Sequence, residues 1–165
     1  MSFYNRAFAF CFLLVLGVGT CFSQEGAQPG AKPAADYSGM YTFLKDGEFV
    51  QITIEDAGRV TGFVSRYGDG ESDRGAFLDQ FFKQGRFEGS KLSFMTEIVH
   101  GTWFEFSGML ARGEGKTPNE EAYYVLKGSL VQHETDAANK TSSKSRDVTF
   151  KSFPRDLESD VPKRN

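Results

Sequence analysis

Between residues 36 and 153 the chain is cut, at near-regular spacing, into eight short runs that alternate apolar and polar residues. Glycines and charged clusters separate the runs. Side chains along a β-strand point alternately to two faces, so a period of two marks a strand with one buried face. The runs cover 37–45, 48–55, 59–67, 78–88, 91–99, 102–112, 122–133 and 146–153. They are enriched in β-branched and aromatic residues, as strands are.

The short connections have the chemistry of hairpins. Asp46-Gly47, Ala57-Gly58, Gly89-Ser90 and His100-Gly101 each supply a residue suited to a tight turn. Sequential hairpins predict an antiparallel meander and leave no room for the helical crossovers that parallel strands need. An open meander of eight strands has two exposed edges, and closure into a barrel removes both. The expected fold is therefore all-β: a single antiparallel up-and-down barrel of about eight strands. One segment has a second reading. In 76–84 the apolar residues fall at 77, 78, 81 and 82, which suits a helical turn as well as a strand. Three longer polar loops, 68–75, 113–121 and 134–145, follow the third, sixth and seventh strands, so they cannot all open at one end. Alternation leaves open which face is inside. An outer-membrane barrel would turn the apolar face outward, but Lys83, Lys127 and Lys151 are awkward on a lipid face.

The ends of the chain differ from its middle. Residues 1–23 hold one charge, Arg6, then the apolar run AFAFCFLLVLGV at 7–18, then small residues up to Ser23. This is the layout of a secretory signal peptide, and the run is short for a membrane span. The expected destination is outside the cytoplasm, periplasmic or secreted. Val18-Gly19-Thr20-Cys21 also resembles a lipobox, with Thr20 a poor fit, and lipidation of Cys21 is the one route by which a membrane would become a partner. Both cysteines, Cys11 and Cys21, lie in this segment, so the barrel is expected to hold together by burial without disulfides. Residues 24–35 are rich in Ala, Gly and Pro and read as a flexible leader. Residues 154–165 form a charged tail with few apolar residues, expected to be disordered. The formal net charge is −3, and no basic run interleaves with aromatics, so nucleic acid is not an expected partner.

Ser38-Gly39-Met40-Tyr41, opening the first strand, resembles the Gly-x-Trp start of the calycin barrels, which include avidins, lipocalins and fatty-acid-binding proteins. Residues 47–54 (GEFVQITI) followed by 58–63 (GRVTGF) are similar in rhythm to the second and third strands of avidins. Residues 104–110 and 122–130 align by spacing with later avidin strands. The likeness spans most of 37–153 and implies a calycin-like barrel. Two departures stop it short of biotin: Tyr41 stands where the family usually has Trp, and the first strand lacks the Asn and Ser pair that holds the ureido group.

If Tyr41 points inward, alternation predicts an interior built from Tyr41, Phe43, Val50, Ile52, Ile54, Val60, Val64, Leu92, Phe94, Phe104, Phe106, Leu110, Leu126, Leu130, Val148 and Phe150. Two readings follow. In one the barrel binds a small apolar molecule against Tyr41, Phe43, Phe94, Phe104, Phe106 and Tyr124, the two tyrosine hydroxyls acting as polar handles. In the other it is a structural or interaction module with a filled aromatic core and no ligand, since twelve of the 17 phenylalanines lie beyond residue 23. Trp103 and Tyr123 fall on the outward phase, where they would mark a partner surface or a homo-oligomer built through the outer wall.

Catalysis and metals find less support. His100 and His133 sit at the ends of different strands, with no partners at zinc or triad spacing. The acidic loop Asp69, Glu71, Asp73 offers carboxylates to calcium, but Arg74 stands where an EF-hand needs Gly. It reads as a solvated turn. No nucleophile motif or phosphate loop follows residue 23. No catalytic residue, metal ligand or cofactor is expected, and an enzyme using Tyr41 as acid or base is a distant third reading.

Overall fold

The computed structural model describes residues 34–71 and 73–155. The expected signal peptide at 1–23 with Cys11 and Cys21, nearly all of the expected leader and most of the expected tail lie outside the described residues.

Each predicted run is a strand. In chain order they are β1 (Gly39–Thr42), β2 (Phe49–Ile54), β3 (Val60–Tyr67), β4 (Phe77–Glu88), β5 (Lys91–Thr96), β6 (Thr102–Arg112), β7 (Tyr124–Thr135) and β8 (Thr141–Lys151). Every strand pairs antiparallel with the next, in the order β1 to β8. The meander curls until its ends meet. Tyr41 bridges to Ser152, the Phe153 N–H donates to the Met40 carbonyl at 2.9 Å, and the Lys151 N–H donates to Thr42 Oγ1 at 3.0 Å. The seam is short because β1 is only four residues long.

From Phe77 on, segment 76–84 is strand, and its mixed pattern has a physical cause. β4 carries apolar residues on both faces: Phe82 turns inward beside the polar Gln80, while Phe77 and Phe81 lie exposed on the outer wall. An irregularity between Phe82 and Gln84 then shifts the inward phase to Gly85 and Phe87. The loop expected at 134–145 shrinks to the tight turn 136–140. There β7 and β8 run on as a hairpin through Thr135 opposite Thr141 and His133 opposite Ser143. Thr and Ser suit a strand on its solvated faces, and the pairs Ser129–Ser145 and Thr135–Thr141 hydrogen-bond across it at 2.9 and 3.1 Å.

Every residue of the predicted interior is buried in one core except Val148, which packs against it half-buried. The apolar face is inside, and Lys83, Lys127 and Lys151 are exposed on the wall. Phe82 stacks on Phe94 (ring centroids 4.4 Å apart), Phe94 on Phe106 (5.3 Å), and Phe106 meets Phe150 (5.5 Å). Phe150 in turn meets Phe43 (5.3 Å), which packs edge-on to Phe104 (5.2 Å). This ladder of touching rings crosses the interior. Gly108 and Gly128, opposite each other on β6 and β7, make room for it. A Cβ on Gly108 would stand 2.6 Å from the Phe106 ring and 2.9 Å from the Gly128 Cα.

Candidate functional site

In an up-and-down barrel the turns after odd strands gather at one end. Here they are 43–48, 68–76, 97–101 and 136–140. The inward phase of each strand does not stop where its apolar residues stop. It continues at this end as Arg66 after Val60 and Val64, as Thr96 after Leu92 and Phe94, and as Arg146 before Val148 and Phe150. Glu48, Gln80 and Gln132 occupy the same tier. Glu48, Arg66, Gln80 and Thr96 are all buried. Polar and charged groups in such places need partners, because desolvation without them is costly.

Most find them. Gln80, fully buried, accepts from Arg66 Nε at 2.6 Å and donates through its amide to the carbonyls of Thr102 (2.8 Å) and Glu97 (3.2 Å). One side chain thus ties β3 to the turn after β5. Arg66 Nη1 reaches the Tyr67 carbonyl and Asp69 Oδ2 at 3.1 and 3.2 Å, and its side chain is only 5% exposed. Asp69 Oδ1 also takes Lys45 Nζ at 3.0 Å. Both Glu48 oxygens accept backbone N–H groups, from Lys45 and Tyr67, each at 3.0 Å. Thr96 Oγ1 accepts from the Phe104 N–H. Arg146 is the exception. Its Nη2 donates to Gln132 Oε1 at 2.7 Å, but its Nε is buried and has no hydrogen-bond partner.

These groups enclose a hollow of about 250 Å3 that opens to solvent. Its floor is Phe43 and Phe104, and its walls include Lys45, Arg66, Gln132 and Arg146. The Arg66–Asp69 pair separates it from a wider cleft of about 690 Å3 between the turn 68–76 and the β7–β8 hairpin. Across that cleft's rim His100 Nδ1 lies 2.6 Å from Asp73 Oδ2, joining the turn after β3 to the turn after β5. Asp69 and Asp73 therefore face separate partners, Asp69 the cations Lys45 and Arg66 and Asp73 the His100 ring. Among the described residues no three His, Cys, Asp or Glu side chains are grouped to hold a metal ion.

The opposite end is closed differently. Tyr41 is buried there and donates its hydroxyl to the Tyr37 carbonyl at 2.6 Å, within the 3-10 turn Ala34–Tyr37 that precedes β1. Burial pushes the Tyr41 phenol well above the ordinary tyrosine range, so it stays protonated and is a poor base. Tyr37 packs edge-on to Tyr124 at 4.8 Å. The Arg112 guanidinium lies 3.4 Å over the Tyr123 ring and donates to the Gly115 carbonyl, pinning the loop after β6. Arg155 ties the chain's exit to this end through the Pro118 and Asp36 carbonyls.

The six aromatic residues singled out in the sequence are thus not gathered round one cavity. Phe43 and Phe104 floor the hollow at the odd-turn end. Phe94 and Phe106 lie within the ring ladder. Tyr41 and Tyr124 help close the far end. The polar tier went unread in the sequence, although its signal was there: a charge or amide continuing the inward phase at a strand end. Trp103 and Tyr123 are on the outside but half-covered. Trp103 stacks on His133, with ring centroids 4.7 Å apart and planes at 7°. The more exposed aromatics run along β2–β4, where Phe49, Phe63 and Phe81 follow one another at 5.9 and 5.6 Å and Tyr67 meets Phe77 at 4.6 Å.

No protein-family model and no curated protein matches this sequence. Solved structures do match the fold. A rhizavidin–biotin complex superposes with a TM-score of 0.55 at 14% identity, covering 76% of this chain and 99% of that one. Intact afifavidin in its apo form gives 0.53 at 14% identity over 80% and 90%. Rhizavidin alone gives 0.53 at 14% over 72% and 84%. The calycin-like resemblance read from 38–63 is borne out as a fold: the chain is similar to avidin-like barrels in strand number, order and pairing.

Proposed function

We propose that this protein is an exported small-ligand-binding barrel whose ligand sits in the hollow at the odd-turn end. Phe43 and Phe104 support one face of the ligand, and the polar tier around Arg66, Gln132 and Arg146 orients it. The observation that carries this reading is the polar, inward-facing tier set above an otherwise filled aromatic interior. Small-molecule sites combine an apolar floor with a few convergent polar groups, which is the composition here. The volume lies below the roughly 300–1,000 Å3 of typical pockets, so a compact molecule or a headgroup suits it. An avidin-like neighbour crystallised with biotin adds support for a small ligand in this fold. Biotin itself is not proposed, because β1 offers no Asn and Ser pair. The apolar run at 7–18 supports export to the periplasm or the outside.

The test is native mass spectrometry of the protein purified from its own host, alongside Phe104→Trp, which fills the floor of the hollow. A small molecule on the wild type that is lost from the variant is the expected result. A wild type carrying no bound mass, or a ligand retained by Phe104→Trp, would overturn it.

A second reading has its own observation. Phe77 and Phe81 are 51% and 56% exposed and continue the strip through Phe63 and Phe49. An aromatic strip of that kind fits a protein-interaction or self-association surface on the outer wall. Phe81→Lys would then abolish a concentration-dependent mass shift in sedimentation, and an unchanged shift would remove this reading.

A further inference from the structure

We infer that the hollow at the odd-turn end is an oxyanion site, with Arg146 as the principal donor to a carboxylate or phosphate group on the ligand. The inference rests on the ligand-binding reading above and specifies the ligand's chemistry.

Three cations line the hollow: Lys45, Arg66 and Arg146. Two carboxylates do, Glu48 and Asp69. The carboxylates are already engaged. Glu48 caps two backbone N–H groups, and Asp69 bridges Lys45 and Arg66. That leaves the guanidinium of Arg146 with no carboxylate among its hydrogen-bond partners: it donates to the neutral Gln132 carbonyl oxygen, whose own –NH2 donates onward to Glu134. A guanidinium presents five N–H donors and is always charged. Here one of them, Nε–H, is buried without an acceptor. A buried unpaired donor destabilises the fold, and more so when charged. An oxygen anion entering the hollow gives the guanidinium a counter-ion at its Nη groups, and a small shift of the side chain brings the orphan Nε–H onto the same anion's second oxygen. Arginine is the side chain best shaped for such groups, since its planar fork matches carboxylate and phosphate oxygens.

The neighbouring groups fit that role. Arg66, held rigid by Gln80 and Asp69, raises the local positive potential without being free to swing out. Its guanidinium carbon lies 5.9 Å from the centre of the Phe104 ring, so the charge borders the apolar floor. The ligand this describes is compact: an oxyanion at Arg146 and an apolar or aromatic body lying on Phe104 and Phe43. Nothing in this arrangement requires a ureido-type head.

Benzoate, phenyl phosphate and neutral benzamide are matched probes, titrated into the full-length mature protein and followed by NMR shifts or calorimetry. Benzoate, phenyl phosphate or both should bind at least about tenfold more tightly than benzamide, as charge-assisted hydrogen bonds imply. The preference should weaken as salt rises. Whichever anion binds better tells a carboxylate ligand from a phosphate one. Arg146→Gln should erase the preference for the anion, so that benzoate and phenyl phosphate bind the variant no more tightly than benzamide does. Arg146→Lys, which keeps the charge but loses the fork, should restore part of it. Should Arg146→Gln fail to fold, the anion-to-neutral ratio on the wild type still decides. Equal binding of benzoate, phenyl phosphate and benzamide, or an anion preference that survives Arg146→Gln, would overturn the oxyanion site while leaving a ligand-binding hollow. Failure of all three probes would overturn it too. The ligand-binding reading then stands or falls on the separate Phe104→Trp comparison.

Discussion

The two ends of this barrel are made from the same alternation and finished in opposite ways. At the end bearing the turns after even strands, the inward phase closes on Ile54, Val60, Phe87 and Leu110, capped by Tyr37, Tyr41 and Tyr124. Its polar atoms are consumed locally: Tyr41 by the Tyr37 carbonyl, Ile54 N–H by Ser38 Oγ, and Tyr124 N–H by Ser152 Oγ. At the odd-turn end the inward phase closes on Arg66, Gln80, Gln132 and Arg146, and one donor is left over. A stable barrel needs only the first kind of ending. The second kind costs desolvation and yields little packing. Glu48, Gln80 and Thr96 offset that cost by tying turns and strands together, and Arg146, with its unpaired Nε, does not.

The ring ladder joins the two ends, so cutting it has the largest expected effect. Phe106 is buried between Phe94 and Phe150. Phe106→Ala should lower the unfolding free energy by about 3–5 kcal/mol, from lost burial plus the cavity left behind. Denaturant titration with fluorescence or circular dichroism measures it. A loss under about 1 kcal/mol would mean that the centre of the barrel is not packed, and the contrast between a filled body and an open end would lose its basis.

The sealed end is probed by Tyr41→Phe. The substitution keeps the ring and deletes the hydroxyl that bonds the Tyr37 carbonyl, at a cost near 1 kcal/mol at neutral pH. Its sharper signature is alkaline. Burial raises the folded-state pKa of Tyr41 above its unfolded value of 10.0. The stabilisation that follows is therefore complete below about pH 10 and is lost as pH climbs from there toward the folded value. Wild-type stability should fall steeply above pH 10, and that of Tyr41→Phe should fall less. Parallel curves for the two proteins would mean that this phenol is open to water and the end is not sealed.

How much of this was legible beforehand follows from the same contrast. Alternation located the eight strands, and every interior residue it picked out is buried apart from the half-buried Val148, because period two depends only on which side a residue faces; it missed Phe87, which lies past the irregularity in β4, and Ala122 and Val125. The calycin rhythm of 38–63 likewise carried the architecture. Arg66, Gln80 and Arg146 obey that same period, yet a reading that equates inward with apolar stops one residue too early in each strand. The extension of β7 and β8 past 133 and before 146 was hidden because both its faces are wet, and wet strands carry no period. Whether the interior is hollow or filled was never in the pattern. It depends on how Phe94, Phe106 and Phe150 lean on one another, and ring packing has no one-dimensional signature.

The smallest effect is the most discriminating between the ends. If the odd-turn end is kept polar for a ligand, its residues are not optimised for folding, and removing the orphan should help the unliganded protein. Arg146→Met keeps an unbranched apolar stem at the wall of the hollow, shorter than arginine's, and removes a buried N–H that has no acceptor. It also loses one bond to Gln132, whose oxygen can turn to water at the open end. The balance is a gain of roughly 0.5–1 kcal/mol, since replacing a poorly compensated buried charge with an apolar side chain is often stabilising. The matching change at the sealed end, Ser152→Ala, strips an acceptor from a buried N–H of Tyr124 and should cost about 1–2 kcal/mol. Opposite signs from two polar-to-apolar changes in one barrel, read by denaturant midpoint in the same buffer, would separate an end built for stability from an end built for binding. Losses at both positions would make Arg146 an ordinary structural residue and erase the distinction.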